Sequence, residues 1–135
     1  MALKFPEPPA STSTRFANLA LGLDAAFCNI VGLVFTLTGA FMADWLGVPG
    51  WVATVFGVVV LMWSFVVTLF ANRRVSRRRE VDFVLRVNLA FVVIALVVIV
   101  WPGALSDAGR VVLGLGAAIV AAFAVAQFYA RRDLA

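Results

Sequence analysis

The topology of this chain is decided by RRVSRRR, the stretch from Arg73 to Arg79, which lies near the middle of the 135 residues. A strongly apolar region lies on either side of it, and a short segment rich in glycine and proline divides each region into two blocks. Each block is about 20 residues long, the length that a helix needs to cross a hydrocarbon layer of roughly 30 Å. Because so many charges are costly inside a bilayer, the stretch must lie outside the membrane and separate two pairs of spans.

The composition excludes an ordinary soluble domain. Hydrophobic residues make up 64% of the chain and charged residues 13%, and the mean hydropathy is +1.04. In lipid every backbone amide must be hydrogen-bonded within the protein, which leaves helices and closed barrels. The apolar runs do not alternate with polar residues as barrel strands do. The sequence therefore predicts an all-α, polytopic membrane protein with a bundle of four transmembrane helices.

The boundaries of the expected elements follow from the apolar runs and the residues that interrupt them. We expect helices over about residues 15–42, 50–71, 83–101 and 108–129. Residues 1–14, rich in proline, serine and threonine, predict a mobile tail, and residues 72–82 form a basic connector. The short turns predict two helical hairpins. A signal peptide is the alternative for the first run, because Lys4 precedes it, but the run is longer than the apolar region of a signal.

The basic residues predict the orientation. With four spans, both termini and the central connector share one side, which carries ten of the eleven basic residues and leaves only Arg110 on the other. The positive-inside rule makes the basic side, with both termini, cytoplasmic. Ten arginines against one lysine favour a GC-rich bacterial source. The expected location is therefore the bacterial plasma (inner) membrane.

The basic connector has two interpretations. Juxtamembrane basic residues gain about 1 kcal/mol each near an anionic leaflet, so we expect contact with anionic lipids of the cytoplasmic leaflet. The alternative is an acidic cytoplasmic partner. Nucleic acid is not expected, since a segment pressed against the headgroups presents little free surface. The residues expected to make these contacts are Arg73, Arg74, Arg77, Arg78 and Arg79.

The first helix carries a stripe of small residues that predicts close helix packing. Small side chains let two membrane helices approach closely and gain van der Waals contact. The favoured partner is a neighbouring helix of the same chain, and the alternative is a second subunit. The seam consists of Gly22, Ala25, Asn29, Gly32, Thr36, Gly39 and Ala43.

Five polar residues are expected inside the cytoplasmic half of the bilayer: Asp24, Asn29, Arg86, Asn88 and Gln127. Polar groups at such depth are costly and mark functional or structural sites. We expect an ion pair between Asp24 and Arg86, with the two amides of Asn88 and Gln127 hydrogen-bonded nearby. The cluster either links the helices or forms a polar site for an ion, a proton or a lipid headgroup.

Catalytic chemistry is not expected. The chain has no histidine and a single cysteine, Cys28, which excludes bis-histidine haem ligation and the usual zinc sites. No nucleophile with a neighbouring base is evident. We therefore expect no catalytic residue, no metal and no cofactor.

Several short motifs resemble a group of small, uncharacterised bacterial four-helix membrane proteins. They are the pair Asp24-Ala25 in the first helix, the turn Leu46 to Pro49, Asn88 in the third helix and Gln127 near the end of the fourth. The resemblance covers about residues 18–132 and implies the fold but no activity. Small multidrug exporters are similar in length, but they rely on a glutamate in the first helix, where this chain has only Asp24.

Three features favour a non-catalytic accessory or assembly subunit of a larger membrane complex, of transport or respiratory type: the faces of small residues, the lack of an expected soluble domain and the lack of an expected catalytic site. The expected partners are other membrane-protein subunits. The alternative is a small homo-oligomeric transporter or channel that uses the polar cluster around Asp24.

Overall fold

The computed structural model describes residues 12–72 and 77–134. Within these ranges every regular element is a helix and there is no strand. The helices are α1 (Thr12–Leu46), α2 (Gly50–Ala71), α3 (Arg78–Val100) and α4 (Asp107–Arg132). All four are long and apolar enough to cross a membrane. The prediction of an all-α, multi-pass membrane protein is therefore confirmed at this level.

Large apolar side chains cover the outside of the bundle. Phe41 is 87% exposed, Val100 76% and Leu37 72%. An apolar surface of this extent is unfavourable in water, but acyl chains solvate it at no such cost. The outside of the bundle thus matches a lipid environment.

Three helices extend beyond the predicted limits. Helix α1 begins at Thr12, so that residues 12–14 are helical and not part of a tail, while residues 1–11 lie outside the described part of the chain. Helix α3 begins at Arg78, which makes the last part of the connector helical; residues 73–76 again lie outside the described part. Because a helix satisfies its own backbone, it need not end where the hydrocarbon ends: the 35 residues of α1 span about 52 Å.

Two glycines with left-handed backbone conformation make the turns. Gly47, after α1, has φ 77°, and Gly103, after α3, has φ 75°. A side chain is strained at such angles, which explains the glycines. After α1, the N–H of Val48 donates to the carbonyl oxygen of Ala43 at 3.0 Å, which closes the helix end.

Helices α1 and α2 pack backbone against backbone over the half of α1 nearer its C-terminus. A Cβ atom at Gly32 would lie 2.7 Å from the backbone nitrogen of Leu61, and one at Gly39 would lie 3.0 Å from the backbone of α2. From the other side, a Cβ atom at Gly57 would overlap the backbone of α1. Because these glycines have no side chain, α1 and α2 can make the most extensive helix contact of the bundle.

The other helices are arranged more loosely. Helix α3 packs mainly against α4, α4 also contacts α1, and the backbones of α2 and α3 have little contact. Aromatic side chains bridge α2 and α3: the ring centroids of Trp63 and Phe83 are 5.7 Å apart, and those of Phe56 and Phe91 are 6.4 Å apart.

One buried cluster joins all four helices near the chain termini. It includes Ala17 of α1, Val67 of α2, Val81 of α3 and Ala130 of α4, each at most 1% exposed. Helices α1 and α3 begin at this end and α2 and α4 finish there, so we call it the terminal end. Gln127 lies about one and a half turns from this end, and Asn88 and Asp24 lie about three turns from it.

Candidate functional site

Three buried polar side chains from three helices form a closed hydrogen-bonded group. The Asn88 amide nitrogen donates to Asp24 Oδ2 at 2.7 Å, and the Gln127 amide nitrogen donates to the same oxygen at 2.7 Å. The Asn88 nitrogen also donates to Gln127 Oε1 at 2.9 Å. We call Asp24, Asn88 and Gln127 the polar triangle.

Burial makes the polar triangle costly to disrupt. Asp24 and Gln127 are 0% exposed and Asn88 is 3% exposed. In an apolar interior an unpaired polar group pays the full cost of its lost hydration. The polar triangle therefore links α1, α3 and α4 by hydrogen bonds that water does not replace at this site, and α2 contributes no side chain to it.

Cys28 completes the surroundings of Asp24. It lies one turn further along α1, 7% exposed, and its thiol donates to Asp24 Oδ1 at 3.4 Å. Both carboxyl oxygens thus accept hydrogen bonds, and all three donors are neutral groups. Among the described residues, no group of three or more His, Cys, Asp or Glu side chains could hold a metal ion.

The expected ion pair between Asp24 and Arg86 is wrong. Arg86 is exposed on the outside of α3, whereas Asp24 is fully buried, and the ion pairs found in the described part of the chain do not join them. The reason is the helical repeat: two residues along a helix turn through about 200°. Since Asn88 points into the bundle, Arg86 must point out of it.

Asn29 lies apart from the polar triangle. It lines a groove on the outside of α1 and α2, together with Gly22, Ala26 and Thr68. Five residues separate it from Asp24, which places the two side chains about 140° apart around α1. The structure thus brings together three of the five polar residues, Asp24, Asn88 and Gln127, and leaves Asn29 and Arg86 outside.

The seam of α1 is divided between two environments. Its later part, from Gly32 to Ala43, faces the closely packed α2. Its early part opens into the groove: a Cβ atom at Gly22 would meet nothing within 4 Å, and Asn29 is half-buried there. Ala25 also borders the groove but belongs to the buried cluster at the terminal end.

Of the five connector arginines, Arg77, Arg78 and Arg79 are exposed at the terminal end. Arg73 and Arg74 lie outside the described residues.

Two further links were not predicted from the sequence. At the far end, Ser106 caps α4 by accepting from the N–H of Gly109 at 3.0 Å, and its hydroxyl donates to the carbonyl oxygen of Trp45 at 2.5 Å. At the terminal end, Arg131 Nη1 lies 2.7 Å from Asp82 Oδ1. A serine before an acidic helix start signals a cap, but no sequence signal shows that it reaches α1.

No family model, curated protein or solved structure is significantly similar to this chain. The resemblance to small four-helix membrane proteins stays a prediction.

Proposed function

We propose that this protein is a non-catalytic accessory or assembly subunit of a larger complex in the bacterial plasma membrane, of transport or respiratory type. Its two hairpins, α1–α2 and α3–α4, would place both termini and the basic connector in the cytoplasm. The ten-to-one division of basic residues supports this orientation. The connector arginines would then meet the anionic headgroups of the inner leaflet.

The observation that carries the proposal is the open groove on α1 and α2, which we call the α1–α2 groove. Gly22 and Ala26 form a small-x-x-x-small pair on its floor, and no atom of another helix lies within 4 Å of a Cβ placed at Gly22. In membranes such pairs mark places where another helix comes close. The same type of residue, further along α1, already binds α2.

Polar groups in the α1–α2 groove indicate what the partner offers. The half-buried Asn29 amide lies one turn beyond Ala26, and Thr68 of α2 lines the opposite wall. An amide facing acyl chains has no hydrogen-bonding partner there, whereas a polar side chain of an adjacent helix supplies one. The occupant we propose is a transmembrane helix of another subunit with a small-residue face and one polar side chain.

The test is native mass spectrometry on the protein extracted gently from its own membrane. We expect a defined mass that contains another membrane protein. Gly22→Leu fills the groove and should abolish that mass, while Gly116→Leu, at an equally open glycine of α4, should preserve it. The variant Ala26→Cys should also cross-link to the partner's transmembrane helix.

A monomer, or an oligomer of this chain alone, would refute the accessory role. So would equal loss of the partner in both glycine variants, because the groove would then have no special part. Thermal unfolding of the two variants in detergent checks that each remains folded.

A second candidate rests on a different observation, the neutral surroundings of Asp24. The carboxyl group is bonded by two amides and a thiol and by no arginine, and an ionisable group inside a membrane span is a candidate for the transport path of a homo-oligomeric transporter or channel. In that case Asp24→Asn would abolish a flux in proteoliposomes while the protein stays folded. An unchanged flux, or no flux in the unaltered protein, would refute it.

A further inference from the structure

We propose that the terminal half of the α3–α4 face holds a single anionic phospholipid of the surrounding bilayer. This inference does not depend on the assembly role and concerns the opposite pair of helices from the α1–α2 groove. The site on this face would bind a phosphate-bearing headgroup together with one acyl chain. Four features carry it: an apolar groove, its depth, a basic mouth and the local balance of charge.

The groove runs between α3 and α4 and is apolar throughout. Leu85 and Leu89 form its wall on α3, and the α4 side consists of Ala121, Ala124, Val125, Phe128 and Tyr129. The alanines leave a channel between the larger side chains. We call it the α3–α4 groove.

The depth of the α3–α4 groove fits one leaflet. From Tyr129 to Ala121 the helix rises about 12 Å, close to the roughly 15 Å that one leaflet contributes to the hydrocarbon core. A transmembrane helix would need an apolar surface through the whole bilayer. The occupant that matches this depth is an acyl chain of one leaflet.

Arginines lie near the terminal end of the groove. The Arg132 guanidinium carbon lies 5.9 Å from the centroid of the Tyr129 ring, which itself lines the groove. Arg78 precedes Leu85 by two helical turns and so lies on the same face of α3. Arg86, next to Leu85, is also exposed. Guanidinium groups bind phosphate oxygens in a fixed, two-pronged geometry.

The local charge balance favours an anion. Asp82, between Arg78 and the groove, is held by Arg131 at 2.7 Å, so its charge is offset within the protein. The other acids of this rim are Glu80, which is half-buried, and Asp133, which is exposed at the end of α4. A headgroup therefore meets a net positive rim above an apolar channel.

The experiment is native mass spectrometry of the detergent-purified full chain, titrated with phosphatidylglycerol or phosphatidylcholine of identical acyl chains. We expect one tightly retained phosphatidylglycerol per chain and weaker retention of phosphatidylcholine. Arg132→Gln and Arg86→Gln should each lower the affinity for phosphatidylglycerol about fivefold, the ratio expected for one juxtamembrane basic residue. Arg15→Gln, the same change at an exposed position of α1, is the control and should have no effect.

A neutral variant separates a site from diffuse attraction. Ala121→Phe narrows the channel without altering charge, and we expect it to reduce the retention of phosphatidylglycerol as well. Equal binding of the two lipids, equal effects of Arg15→Gln and Arg132→Gln, or undiminished binding by Ala121→Phe would each overturn the proposal. So would a second copy of this chain in place of the lipid.

Discussion

The polar triangle gives the sharpest test of the bundle's stability, through the substitution Asn88→Leu. Leucine has nearly the shape of asparagine, so the change removes hydrogen bonds while leaving little cavity. Two bonds disappear: the 2.7 Å bond to Asp24 and the 2.9 Å bond to Gln127. Gln127 Oε1 is then left without a donor in a fully buried position.

The expected loss follows from these two bonds. Hydrogen bonds between membrane helices average about 0.6 kcal/mol in mutant cycles, and typical bonds in proteins reach about 1.5 kcal/mol. Asn88→Leu should therefore lower the free energy of unfolding by about 1–3 kcal/mol. The matched control is Asn29→Leu, at a half-buried asparagine in the α1–α2 groove, which should change it by less than about 0.5 kcal/mol.

The assay is unfolding in mixed micelles of detergent and sodium dodecyl sulfate, followed by tryptophan fluorescence. The double variant of Asn88→Leu with Gln127→Leu adds a second criterion. Because the two side chains share a bond and a common acceptor, their effects should fall short of additivity by about 0.5–1.5 kcal/mol. Equal losses for the two asparagines, or strictly additive effects, would refute the reasoning.

Three further outcomes are expected from the packing and the helix ends. Gly32→Ala should destabilise the bundle by about 1–3 kcal/mol, because the new methyl group meets the α2 backbone. Gly116→Ala, in open space, should be neutral or slightly stabilising. Equal melting temperatures of these two variants would contradict the prediction. Ser106→Ala should cost about 1–3 kcal/mol by removing a helix cap and an interhelical bond; a change below the error of thermal unfolding would contradict it. Asp82→Asn should cost about 0.5–1 kcal/mol through its partner Arg131, and the loss should shrink in high salt; a salt-independent loss would exclude an ion pair as its cause.

The sequence predicted well which residues share a level along the bundle, and it predicted poorly the directions in which they point around the helices. Hydropathy and charge give the depth of a residue, so Asp24, Asn88 and Gln127 were expected at one level, where the structure brings them together. Depth alone also placed Arg86 there. The spacing of residues 86 and 88, about 200° apart on a helix, shows that the two side chains cannot both face the bundle interior. Which of them faces inward depends on the side of α3 that packs against α4, and tertiary contacts decide that.

The same limit explains the divided seam of α1. The small residues recur regularly from Gly22 to Ala43, and nothing in their spacing shows where contact with α2 ends. In the structure the two helices are close at Gly32 and Gly39, whereas no atom of another helix lies within 4 Å of a Cβ placed at Gly22. Likewise the link from Ser106 to Trp45 joins residues 61 positions apart and becomes visible only in the folded bundle.

The geometry of the polar triangle also bears on why residue 24 is an aspartate. Both amide bonds converge on one carboxyl oxygen, Oδ2, while the other oxygen receives only the longer contact from Cys28. An asparagine at position 24 could present its carbonyl oxygen to both amides and turn its NH₂ group to the sulfur, which is a weak acceptor. The links between α1, α3 and α4 therefore do not require a carboxyl group. If Asp24→Asn leaves both stability and function unchanged, the triangle serves only to hold the helices together; if stability persists while a function is lost, the ionisable oxygen itself is what the protein uses.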